Sequence, residues 1–128
     1  MWPSWRKSAS VAILAFASLI SAQVQAKESV AALESVALTA LPREAQTTHR
    51  LILAGGPFPY GKDGSVFGNR ERILPAKTRG YYREYTVAKP GARNRGAKRL
   101  VCGGKPPTKP DVCYYTDDHY SSFKRVAP

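Results

Sequence analysis

Apolar residues follow three different patterns along the chain. From Val11 to Ile20 (VAILAFASLI) they run without a break. Around Pro42 they change to a helical period: Leu41, Ala45, Thr48, Leu51 and Ile52 fall on one face and predict a helix over 42–54. Pro42 suits the first turn, and Glu44 follows where a carboxylate meets the positive end of the helix dipole. Gly55-Gly56 ends the element. Past Pro57 the texture becomes β. Short runs at Val66-Phe67, Tyr81–Val87, Lys98–Cys102, Cys113–Thr116 and Ser122–Val126 are separated by Asp63-Gly64, Lys89-Pro90-Gly91 and Asp117-Asp118. Gly56-Pro57-Phe58-Pro59-Tyr60-Gly61 excludes regular structure and predicts an ordered loop. Residues 27–41 (KESVAALESVALTAL) fit a short helix or a strand equally. A helix followed by a run of strands predicts an α+β domain over 42–128, one N-terminal helix packed on a twisted antiparallel β-sheet.

The unbroken apolar run changes how the N-terminus is read. Arg6 and Lys7 precede it and Val24-Gln25-Ala26 offers small residues at cleavage spacing, so 1–26 reads as a secretory signal peptide. The run is about half the ~20 residues that span a bilayer, which argues against a permanent anchor and stable membrane association. The expected mature chain is Lys27 to Pro128, with 27–41 as its N-terminal segment, secreted to the medium or the periplasm. Export favours a disulfide between the only two cysteines, Cys102 and Cys113. They flank Gly103–Val112, a glycine- and proline-rich hairpin tip, and a bridge there stabilises by roughly 2–3 kcal/mol. Two cysteines are too few for a structural zinc site and no histidine spacing supplies one, so neither metal nor cofactor is expected.

Charge narrows the partners. Lys and Arg number 20 against 9 Asp and Glu, a net charge of +11. Removing Arg6 and Lys7 lowers it only slightly. Such an excess attracts polyanions (nucleic acid, anionic lipid, acidic polysaccharide) without choosing among them.

Candidate chemistry is sparse. On an extended 81–87 run, Glu84 shares a face with Tyr82 and Thr86, and an extended 95–99 run places Arg95 and Arg99 on one face. A carboxylate opposite two arginines is an anion site with a base beside it, or an ordinary surface ion pair worth 0–1 kcal/mol. Of the two histidines, His49 lies inside the predicted helix. His119 lies in Thr116-Asp117-Asp118-His119-Tyr120, a turn with carboxylates adjacent that favour a donating imidazolium. A capped turn histidine is the plain alternative.

Five blocks carry a resemblance. They are Gly56-Pro57-Phe58-Pro59-Tyr60, Phe67-Gly68-Asn69-Arg70-Glu71, the run Gly80 to Val87, the run Pro90 to Gly96, and Asp118-His119-Tyr120. From Leu51 to Val126 the chain resembles the small microbial guanyl-specific ribonucleases, above all the ribonuclease Sa-like bacterial group and more distantly barnase. The resemblance implies the microbial ribonuclease fold and a secreted endoribonuclease. It cleaves single-stranded RNA 3′ to guanosine through a 2′,3′-cyclic phosphate, which is then hydrolysed to the 3′-phosphate. It implies Glu84 as general base, His119 as general acid, Arg95 and Arg99 around the phosphorus, and Tyr120 as a phosphate hydrogen-bond partner. Guanine falls to Phe67, Asn69, Arg70 and Glu71: the ring stacks, backbone amides meet the acceptor edge, and a buried Glu71 carboxylate takes the two donors that adenine lacks. An acidic barstar-like inhibitor and a monomeric state belong to the same implication.

The chain departs from that pattern in places. Gly68 stands where relatives carry a longer polar side chain. Ala37 stands where they carry half of a disulfide joining the chain ends, and the Gly103–Pro110 tip is longer and basic at Lys105 and Lys109. A rival class fits the charge equally: a non-catalytic cationic secreted protein binding RNA or anionic surfaces. An acid and a base at Glu84 and His119 have no use in such a binder.

Overall fold

The computed structural model describes residues 33–128, so the expected leader and residues 27–32 lie outside the described residues. Strand β1 (Ser35–Ala37) leads through a short 3-10 turn into helix α1 (Arg43–Ala54). Five strands follow, β2 (Ser65–Val66), β3 (Tyr82–Thr86), β4 (Arg99–Gly103), β5 (Val112–Thr116) and β6 (Lys124–Ala127). They form one sheet in the order β1-β6-β5-β4-β3-β2.

The helix begins one residue later than the hydrophobic period suggests. Pro42 occupies the N-cap position, where its carbonyl accepts from the amides of Ala45 and Gln46. At the other end Gly55 takes a left-handed conformation (φ 78°), which closes its own amide and that of Gly56 onto the carbonyls of Ile52 and Leu51. The predicted face packs inward at Leu41, Ala45, Thr48 and Ile52, while Leu51 is half-buried.

From β2 to β6 every pairing is antiparallel, as the hydrophobic pattern predicts. The outer edge differs: β1 runs parallel to β6, Ser35 opposite Arg125 and Ala37 opposite Ala127. The ambiguous 27–41 segment thus contributes a strand, and the two ends of the domain meet through a backbone ladder at Ala37.

Strand alternation divides the side chains between two faces. Tyr85, Val87, Leu100, Cys102, Cys113, Tyr115 and Val126 pack under α1. The Cys102–Cys113 disulfide joins directly opposed residues of β4 and β5 within this core. Tyr82, Val101 and Tyr114 point the other way, where two loops cover them with Leu74 and Phe123 instead of a helix. Glu84, Thr86, Arg99 and Thr116 share that second face.

Candidate active site

Glu84 sits near the middle of β3, opposite Val101 of β4, and is 8% exposed. Arg95 donates from Nη2 to its Oε1 at 2.9 Å and from Nε to Thr86 Oγ1 at 2.8 Å. The second carboxylate oxygen accepts the Tyr120 hydroxyl and lies 3.7 Å from Arg99 Nε. That distance is beyond hydrogen-bonding range, and Arg99 Nε is a buried donor without an acceptor among the described residues. Arg99 itself is 2% exposed. Its Nη1 is held by the carbonyls of Lys98 (2.8 Å) and Arg95 (3.2 Å). Burial first, and the like charge of Arg95 second, push its guanidinium below the usual range against the pull of Glu84. An arginine stays charged through such a shift. Two arginines thus converge on one carboxylate, and one has a donor to spare for an anion.

The turn after β5 supplies the remaining groups. Thr116 Oγ1 accepts from the amides of Asp118 (3.4 Å) and Tyr120 (3.2 Å) while donating to Asp118 Oδ1 (2.8 Å). That knot holds His119 and Tyr120 in left-handed conformations, φ 55° and 70°, which cost a non-glycine residue about 1–2 kcal/mol each. The result aims both rings at the open face. His119 is exposed and meets Tyr120 edge-on with centroids 4.8 Å apart.

Beside this cluster opens a cleft of about 660 Å³, walled by Phe67 to Glu71 on one side and by His119, Tyr120 and Phe123 on the other. Phe67 stacks on Tyr120 (5.1 Å, 30°) and meets Phe123 edge-on (5.9 Å). Asn69 shapes the loop: its side chain donates to the Leu74 carbonyl (2.9 Å) and accepts from the Leu74 amide (3.2 Å), with Asn69 itself left-handed (φ 50°). A buried carboxylate, two guanidiniums, an imidazole and a cleft with aromatic walls meet in one place.

The family model for ribonuclease matches residues 23–127. The chain belongs to the ribonuclease family. It is 52% identical over 92 residues to guanyl-specific ribonuclease Sa of Kitasatospora aureofaciens, covering 72% of this chain and 92% of that one. It is 50% identical over 91 residues to guanyl-specific ribonuclease St of Saccharopolyspora erythraea, covering 71% and 85%. Among solved structures, ribonuclease Sa2 in complexes with mononucleotides superposes with a TM-score of 0.70 at 46% identity, covering 76% of this chain and 96% of that chain.

In this ribonuclease Glu84, Arg95, Arg99, His119 and Tyr120 are brought together, and Phe67, Asn69, Arg70 and Glu71 line one cleft beside them. Four details differ from the reading of the sequence. Arg95 lies in the loop before β4 rather than on an extended strand with Arg99, because Gly96 (φ 65°) turns the chain between them. Glu71 is exposed at the cleft rim rather than buried. Tyr120 donates to Glu84 in this structure. Asp118 commits its oxygens to Thr116 and Ser122, so it is a brace for the turn rather than an ion-pair partner of the imidazole. At Gly68 an added Cβ would meet only the Arg70 side chain, at 3.7 Å and beyond, so a side chain can start there without a clash.

One contributor went unread. Asp63 accepts from the Thr86 amide (2.7 Å) through Oδ1 and from the Tyr60 amide (3.2 Å) through Oδ2, fastening the 60–64 loop to the strand end that holds Arg95. The Asp63-Gly64 pair marks a turn in the sequence, but nothing local tells that its carboxylate reaches a strand 23 residues on.

Proposed function

We propose that this ribonuclease is an endoribonuclease that cleaves single-stranded RNA 3′ to guanosine, with Glu84 as general base and His119 as general acid. The observation that carries the reading is the junction at Tyr120: its hydroxyl touches Glu84, its ring stacks on Phe67, and His119 lies at its edge. A guanine seated in the Phe67–Glu71 cleft therefore has its 3′-phosphate delivered to the arginines.

In the first step Glu84 takes the ribose 2′-hydroxyl proton as that oxygen bonds to phosphorus. His119 gives a proton to the departing 5′-oxygen, leaving a 2′,3′-cyclic phosphate. Hydrolysis reverses the roles: His119 takes a proton from water and Glu84 returns one to the 2′-oxygen. Arg99 Nε and the Arg95 guanidinium face the phosphorus as negative charge grows on it, and fixed donors there are worth several kcal/mol. A phosphate oxygen replaces Glu84 as acceptor of the Tyr120 hydroxyl, freeing the carboxylate to accept its proton. With the arginines supplying positive charge, turnover proceeds in chelator.

Guanyl specificity is named for the relatives, and the cleft supports it here through Glu71, whose carboxylate accepts two hydrogen bonds from a guanine edge. The leader-like 1–26 and the disulfide support export, and the cationic site suits an acidic inhibitor protein acting on a monomer. The test is product analysis on a short defined RNA in excess chelator. Cyclic phosphate ends after guanosine, formed faster than after adenosine, are expected. Equal cleavage at both, or none, removes the proposal.

A further inference from the structure

The chemistry above uses one end of the open sheet face. The other end holds a second cavity of about 520 Å³, lined by Tyr81, Tyr82 and Tyr114 together with Lys77, Arg125 and Asp111. The two lie on the same face of the sheet, above one layer of packed rings. Ring contacts run from Tyr120 to Phe123 (6.4 Å), Phe123 to Tyr114 (6.5 Å), Tyr114 to Tyr82 (6.4 Å) and Tyr82 to Tyr81 (4.9 Å). One loop walls both. Ile73 faces the first cleft and Pro75 the second, with buried Leu74 between them, and the Tyr82 hydroxyl donates to the Pro75 carbonyl at 2.7 Å.

Tyr82, Tyr114 and Phe123 are core, and at this end Tyr81 is left half-exposed. It is held flat on its inner side because Gly103 has no side chain; a Cβ there would collide with the ring. Its hydroxyl donates to Asp111 Oδ2 at 3.1 Å, so the one carboxylate of the cavity is already engaged. Lys77 Nζ lies 5.2 Å from the ring centroid, and exposed Arg125 lines the same cavity. A fixed aromatic plate beside two cations that make no ion pair among the described residues matches a nucleotide: the plate suits a base and the cations suit a phosphate. A small anion would have no use for the plate.

We infer that this groove is a subsite for a second nucleotide of the same RNA strand, its base stacked on Tyr81 and its phosphate held by Lys77 and Arg125. Lys77, on a flexible stem, moves from ring to phosphate as the base takes its place. The inference rests on the ribonuclease reading, and it makes the enzyme favour oligonucleotides over dinucleotides.

The experiment compares kcat/KM on a guanosine-containing dinucleotide and on a hexanucleotide with a single guanosine flanked by adenosines. The wild type, Tyr81→Ala, and the exposed-site double variant Lys77→Ala/Arg125→Ala are measured. Stacking and phosphate contacts of this kind predict that both variants lose roughly tenfold on the hexanucleotide and keep wild-type rates on the dinucleotide. The double variant also shows a shallower salt dependence of hexanucleotide KM. Equal losses on both substrates, or none on either, overturn the subsite. If the wild type fails to cut the dinucleotide at all, the failure belongs to the functional reading instead.

Discussion

The backbone amide of His119 donates to the carbonyl of Ala97 at 3.0 Å. This one bond ties the turn that carries the imidazole to the loop that carries Arg95, two segments that share no strand. Arg95 in turn grips Glu84 and Thr86 on β3. The His119 turn, the Glu84 carboxylate and the Arg95 guanidinium are therefore fixed relative to one another by a short closed circuit: β3, Arg95, Ala97, His119, Tyr120 and back to Glu84. Preorganisation of this sort lets a site stabilise developing charge without reorganising at the moment of reaction.

Glu84→Gln and His119→Ala should each lower kcat on a guanosine dinucleotide by about 10²–10⁴-fold, the usual worth of a positioned acid or base. The His119 side chain is exposed, so its removal leaves the melting temperature near that of the wild type. Retention of near wild-type turnover in either variant, checked by initial rates and thermal melts together, removes the assignment of that residue.

Glu71→Ala should reduce the guanosine-to-adenosine ratio in kcat/KM on the order of 10²-fold, with most of the change on the guanosine substrate. The carboxylate is exposed here, so adenine is rejected only when a base covers Glu71 and strips its water without supplying donors. Parallel losses on the two substrates would show that Glu71 does not choose the base.

Thr86 joins three parts of the molecule. Its carbonyl accepts from Thr48 of α1 (3.0 Å), its amide donates to Asp63, and its hydroxyl accepts from Arg95 Nε. Thr86→Val keeps the shape but leaves Arg95 Nε without that acceptor, and an unmade bond of about 1–3 kcal/mol predicts a fall in kcat of roughly tenfold or more. Thr86→Ser restores the acceptor and should recover most of the rate. A valine variant with unchanged kcat, or a serine variant equally impaired, places Arg95 beyond the control of Thr86.

Local signals made much of this architecture legible in the chain. The helix face from Leu41 to Ile52 and the alternation that puts Glu84 beside Thr86 follow from periods of 3.6 and 2, which need no knowledge of the rest of the fold. The strand Ser35–Ala37, within a segment that the pattern leaves open between helix and strand, is short and mostly exposed, and its parallel partner is β6, at the far end of the domain. No turn residue announces such a pairing. An extended chain would set Arg95 on one face with Arg99, yet Arg95 lies in a loop with Gly96 at φ 65° and reaches Glu84 from there. Asp118 shows the same limit from the other side: adjacency in sequence to His119 did not make it the partner of the imidazole.

Asp118 instead gives the fold a pH dependence. Its oxygens accept from the hydroxyl and amide of Ser122 and from the Thr116 hydroxyl. The Ser122 hydroxyl bond foremost lowers its pKa to about 2, from an ordinary value of 3.8. A carboxyl depressed on folding contributes stability that is complete above its unfolded pKa and is lost as pH falls through its folded one. The turn bearing His119 and Tyr120 should therefore hold fully above about pH 4 and lose this support between roughly pH 4 and 2. Thermal melts of the wild type and Asp118→Asn over that range provide the check. The variant should melt lower at pH 6, and the two curves should converge toward pH 2, because protonation removes from the wild type what the substitution has already removed. Other carboxylates titrate in both proteins and cancel in the difference. Curves that stay parallel down to pH 2 would mean that the Asp118–Ser122 bonds contribute nothing to holding the strained His119–Tyr120 turn.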